Sequence, residues 1–209
     1  MERIAAGYIL AEAPVADPDG GLWFSDVLGG GVHHWSPGSG QVETVVPKRR
    51  GVGGMVLHAD GGLVMSGRDI VHVREGETTT VYSDQTAAGF NDLTVDAKGR
   101  IVLGVLRFRP FAGEDMVPGE FIRLEDEART TTAIAGVEWV NGCAFSPDGR
   151  TLYGCDYRRG LVLAADVGED GGFGTSRTVV TSPSGEADGM AVDEDGALWV
   201  ALGGRAAVG

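Results

Sequence analysis

Short apolar runs broken by glycine-rich polar turns recur along the whole chain. In the first stretch the runs are Pro14–Val15–Ala16, Leu22–Trp23–Phe24, Val32–His33–His34–Trp35 and Val42–Glu43–Thr44–Val45. The turns between them are "DPDG", "LGGG" and "PGSG". Runs this short, bounded by such turns, read as antiparallel strands, and no helix signal interrupts them. One turn returns along the chain. "DPDGGLWFSD" ends it at Gly20, "HADGGLVMSG" at Gly61, "DAKGRIVLG" at Gly99, "SPDGRTLYG" at Gly149 and "DEDGALWVAL" at Gly196. The glycine supplies a positive φ where the turn needs one. A unit of four strands repeating every roughly 40 to 50 residues predicts the blade of a β-propeller.

Eight positions before each turn glycine stand Glu12, Gly53, Asn91, Asn141 and Asp188. The innermost strand of each blade lines the central channel, so these positions are expected to converge at the hub. Four of the five bring a side-chain oxygen. Capping of a strand entry explains any one of them. It does not explain four at one offset. Two carboxylates and two amides facing one spot are unfavourable without a partner. One divalent cation removes the difficulty, calcium first for an all-oxygen set, with zinc, manganese or magnesium as alternatives.

The motifs "EAP" at Glu12, "LWFSD" at Leu22, "FND" at Phe90, "NGCAFSPDGRTLY" at Asn141 and "DGMAVDEDGALWVA" at Asp188 resemble those of the gluconolactonase, or regucalcin, family. The resemblance implies an all-β, six-bladed propeller and a metal-dependent hydrolase, above all a lactonase acting on a small molecule. It implies that Glu12, Asn141 and Asp188 are metal ligands and that Asp188 is also the general base. It implies that Asn91 binds substrate or, as in related phosphotriesterase-like propellers, metal. Two residues depart from the pattern. Ala13 stands where the family usually has Gly, and Gly89 where it often has an Arg that contacts sugar lactones. The alternatives left open are a phosphotriester or other ester hydrolase on the same site, and a non-catalytic metal-binding propeller.

At roughly 40 to 45 residues per blade, 209 residues hold about four and a half blades. Residues 1–209 are therefore expected to form one propeller domain, truncated at its C-terminus or closed by assembly, because an open ring leaves sheet edges unpaired. The oligomeric state is left open.

Strand direction places the loops after each second strand, and those entering each blade, on the ligand face. About half of the basic residues lie there: Lys48, Arg49, Arg50, Arg68, Arg107, Arg109, Arg158, Arg159 and Arg205. Such a rim suits an anionic substrate or a developing oxyanion, and Arg107 and Arg109, on the longest loop, are the chosen substrate contacts. Trp139 reads equally as an apolar wall of the site and as core packing. Asp26 and Asp156 read as turn residues, and Cys143 and Cys155 as buried free thiols.

The formal charge of −13 argues against nucleic-acid and anionic-membrane partners. The N-terminus shows no signal segment. Two cysteines in this length point to a cytoplasmic setting.

Overall fold

The computed structural model describes residues 3–126, 128–183, 185–203 and, for the backbone, 207 and 208. They group into two compact units, Met1–Ser83 and Asp84–Gly209. Apart from one short 3-10 turn at Pro110–Ala112, every described element is a strand.

The first unit holds two four-stranded antiparallel sheets. One comprises β1 (Ala11–Ala16), β2 (Leu22–Asp26), β3 (Val32–Ser36) and β4 (Gln41–Val46). The other comprises β5 (Met55–Leu57), β6 (Leu63–Met65), β7 (Ile70–Arg74) and β8 (Glu77–Tyr82). Val32, Val52, Met55, Leu63, Met65 and Val71 form their common core. The outermost strand of each sheet is the polar one: in β8 the first four residues, Glu77 to Thr80, are exposed.

The second unit holds β9 (Gly89–Val95), β10 (Ile101–Leu106), β11 (Gly119–Leu124) and β12 (Thr130–Val137) in one sheet. The next contains β13 (Val140–Phe145), β14 (Thr151–Asp156), β15 (Leu161–Asp166) and β16 (Arg177–Thr181). A last sheet of three strands contains β17 (Ala187–Val192), β18 (Leu198–Leu202) and β19 (Ala207–Val208). Phe121, Ile134, Val140, Leu152 and Leu163 pack the first two of these sheets together. Cys155, Val162, Ala187 and Val200 pack the last two. In all five sheets the strands follow chain order from one side to the other, the meander of a propeller blade.

The repeated turn is built as its residues dictate. Gly20, Gly61, Gly99, Gly149 and Gly196 all have positive φ, between 69° and 92°. Asp17 Oδ1 accepts from the N–H groups of Asp19 and Gly21. Asp96 and Asp193 do the same for Lys98 and Arg100, and for Asp195 and Ala197. These side chains close the turn before the strand returns.

Asp26 and Asp156 are buried and tie each blade's entry to its second turn. Asp26 accepts from the N–H groups of Ile9, Leu10 and Gly29. Asp156 accepts from those of Glu138 and Arg159. Cys143 and Cys155 are buried free thiols. Burial pushes both thiols up, with the charge of Asp92 adding to the rise. Among the described residues no helix is long and apolar enough to cross a membrane.

Candidate active site

In the second unit the innermost strands β9, β13 and β17 lie side by side, and each starts at the same end. Each carries one of the singled-out residues at that start, and each is bulged there. On β9, Phe90 to Leu93 spans three steps while its partner runs two, from Val105 to Leu103. The same excess of one residue falls between Val140 and Cys143, and between Ala187 and Met190. Asn91, Asn141 and Asp188 are each the first residue inside the bulge. A bulge breaks the alternation of faces and re-aims a side chain, and it is common beside active sites.

The hydrogen bonds orient the amides. Asn91 Nδ2 donates to the backbone carbonyl of Val140 at 2.8 Å. A carbonyl only accepts, so the NH₂ must lie there and Oδ1 on the other branch. The Asn141 side chain bonds the Asp188 carboxylate, which also only accepts when ionised. Each amide therefore directs its NH₂ to the following blade and keeps its oxygen for another partner.

Asp188 is half-buried. Burial raises its carboxyl above the ordinary 3.8, against hydrogen bonds from Asn141 and the Gly189 N–H, and the like charge of Glu186 adds to the rise. The carboxylate is thus held in place, with burial and a like charge both acting against its ionised form. A carboxylate with an amide bonded to it, and a second amide on the neighbouring strand, is an oxygen donor set of the kind a hard divalent cation takes. Among the described residues no three His, Cys, Asp or Glu side chains group as a metal site, so a cation here needs the amides.

Gly142 sets the spacing of the pair. A Cβ at this position would lie 2.4 Å from the Met190 nitrogen and 2.7 Å from the Asp188 carbonyl oxygen. Only glycine lets β13 approach β17 this closely. The sequence does not single out Gly142, because the neighbour that requires it is 46 or more residues away.

Glu12 belongs to the first unit. It is half-buried and lines a cavity of about 540 Å³ with Tyr8, Phe24, Leu22 and Pro14. It also borders a bulge, between Glu12 and Val15 on β1. Inside that bulge Ala13 adopts φ 54°, a left-handed conformation that strains a residue with a Cβ. Ala13→Gly is therefore expected to stabilise the protein by about 1 kcal/mol, read as a higher urea midpoint at unchanged m-value. Gly53, the member of the ring without an oxygen, precedes β5, whose register is regular. Its N–H and that of Gly54 both donate to Ser66 Oγ.

Five of the nine basic residues of the expected rim meet carboxylates among the described residues. Arg107 pairs with Asp84 at 2.9 Å and with Glu120. Arg109 pairs with Glu114, whose Oε2 also accepts from the Arg109 N–H at 2.7 Å. Arg49 pairs with Asp69, Arg158 with Glu138 and Arg159 with Asp156. Arg205 lies outside the described residues. Trp139 is half-buried and packs against Phe108, Phe111 and Tyr157, aromatic neighbours that its sequence position alone does not reveal.

Residues 10–209 match the model of the SMP-30/gluconolactonase/LRE-like region. The chain belongs to this family. It is 30% identical to 6-deoxy-6-sulfogluconolactonase of Pseudomonas putida over 94% of its length and 70% of the relative's. It is 29% identical to regucalcin of Xenopus laevis, over 97% and 72%. A gluconolactonase structure from Xanthomonas campestris superposes with a TM-score of 0.83 at 26% identity, covering 98% of this chain and 74% of the other. The calcium-binding regucalcin from Agrobacterium tumefaciens superposes with a TM-score of 0.81 at 22% identity, over 97% and 70%. The gluconolactonase-type propeller expected from the sequence is thus the fold of this family member.

Proposed function

We propose that the protein is a metal-dependent hydrolase that opens a small lactone, with Asp188 as general base and Glu12, Asn91, Asn141 and Asp188 as the cation's ligands. The observation that carries this reading is the bulged start of β9, β13 and β17, each bearing one oxygen-bearing side chain, with Asn91 bonded to the Val140 carbonyl and Asn141 to the half-buried Asp188 carboxylate. Glu12 joins the set on its sequence offset. The named relatives support lactone chemistry, and the calcium-binding regucalcin supports calcium before zinc, manganese or magnesium.

A bound divalent cation would polarise the lactone carbonyl and stabilise the charge that develops on its oxygen. Asp188 accepts a proton from water as the water oxygen bonds to the carbonyl carbon. The ring C–O bond then breaks. The departing oxygen takes the proton, and an open hydroxy acid leaves. Asn141 keeps the carboxylate in place, and Asn91 presents its free oxygen to cation or substrate.

Chelation is expected to remove lactone hydrolysis, and added calcium, manganese or zinc to restore it. Hydrolysis that survives complete chelation defeats the reading. Asn91 as a fourth oxygen ligand is the feature that favours phosphotriesters instead, so the same preparation should be assayed on both substrate classes. The free buried thiols support a reducing, cytoplasmic setting.

A further inference from the structure

The loops that surround Asn91, Asn141 and Asp188 differ in character from the rim that the sequence suggests. Leu106 pairs with Gly89, and Asp156 with Val140, so the loops after β10 and β14 lie at the end where β9 and β13 begin. They carry Phe108, Phe111 and Tyr157, and the segment entering β13 carries Trp139. The Phe108 and Phe111 rings meet Trp139 edge-on, with centroids 6.1 and 5.8 Å away. Tyr157 lies against Trp139 at 4.6 Å. Phe108 is buried, whereas Phe111 is 69% exposed. The 3-10 turn of Phe111 is closed by the Ala112 N–H to the Arg109 carbonyl and clamped by the pairing of Arg109 with Glu114.

Among the described residues of the second unit, the arginines at this end are paired with carboxylates. Arg107, Arg109, Arg158 and Arg159 are matched by Asp84, Glu120, Glu114, Glu138 and Asp156. Glu186 adds a further carboxylate beside Asp188. Among the described residues of the second unit, an anionic substrate would meet carboxylates here and would have to break ion pairs to reach a positive charge. Gly89, at the head of β9, brings no side chain to the site.

We infer that the substrate is an uncharged lactone bearing an apolar substituent, and that Phe111 and Trp139 form the wall that receives the substituent. The lactone part rests on the hydrolase reading. The apolar, uncharged part rests on the aromatic wall and the neutralised arginines. Phe111 and Trp139 act by binding and not in the chemical step. Their contribution is the same in ground and transition states, so it appears in KM.

The test compares D-glucono-δ-lactone, unsubstituted δ-valerolactone and δ-decalactone, which carries a pentyl chain. The wild-type protein is expected to favour δ-decalactone over the sugar lactone by about tenfold or more in kcat/KM. Phe111→Ser, at an exposed position, is expected to fold normally. It should raise KM for δ-decalactone by about tenfold with kcat unchanged, and leave δ-valerolactone unaffected. Preference for the sugar lactone, or an equal effect of Phe111→Ser on all three, overturns the inference. A tryptophan-fluorescence titration with δ-decalactone separates this from failure of the hydrolase reading. Where no lactone is hydrolysed, a saturable change that vanishes in Trp139→Phe and weakens about tenfold in Phe111→Ser supports the apolar site. Absence of any saturable change overturns it.

Discussion

Asp188→Asn is expected to lower kcat/KM on a lactone by about a thousandfold, within the range of a lost general base, and to raise the melting temperature of the cation-free protein. Both effects have one origin. The carboxylate is half-buried, and the like charge of Glu186 acts on it. Keeping that charge in the fold costs stability, and a neutral amide of the same shape removes the cost. The direction of the pH dependence follows. The folded carboxyl binds its proton more tightly than the unfolded one, so the cation-free protein loses stability as pH rises from the ordinary value of 3.8 through the raised folded value. Asp188→Asn should flatten that limb. Thermal denaturation from pH 3.5 to 7 in chelator checks it. An Asn variant that melts lower than wild type at pH 7 would show that the carboxylate is already compensated by another group.

Gly142→Ala is expected to destabilise the protein by about 3 kcal/mol, at the upper end of overpacking costs. It should also reduce turnover by about a hundredfold, as ångström-scale displacement of catalytic groups does. The new methyl group would meet backbone atoms of Asp188 and Met190, not flexible side chains. Relief therefore requires β13 to move from β17, and that movement stretches the Asn141–Asp188 hydrogen bond. Gly189→Ala is the matched control. Nothing lies within 4 Å of a Cβ placed there, so its stability should stay within about 0.5 kcal/mol of wild type. Urea denaturation of the two variants separates crowding at Gly142 from a general intolerance of this segment.

Much of the fold was legible because it is local. The turn "SPDG" and its four relatives place an Asp, Ser or His three residues before a glycine, and every one of those glycines has the positive φ that this spacing demands. The ring positions followed by counting from that fixed point. What lay beyond the sequence depends on partners distant along the chain. The bulges that aim Asn91, Asn141 and Asp188 exist only in the pairing of two strands. The role of Gly142 depends on β17. Arg107 reads as an exposed cation by composition, yet Asp84 and Glu120, 23 and 13 residues away, neutralise it. Trp139, readable as site wall or as core, is held by Phe108 and Tyr157 and extended outward by Phe111. Ala13 is the converse case. The sequence marked it as a departure, and its φ of 54° shows what the missing glycine costs.

The central claim is that oxygens from separate blades share one divalent cation. Calorimetric titration of calcium into chelator-stripped protein tests it most directly. One ion per chain should bind to the wild type, with Asn141→Ala and Asp188→Asn each weakening binding by about tenfold or more, as loss of a ligand or its support does. Equal calcium affinity in wild type and both variants, or no binding of calcium, manganese or zinc to the folded protein, would contradict it.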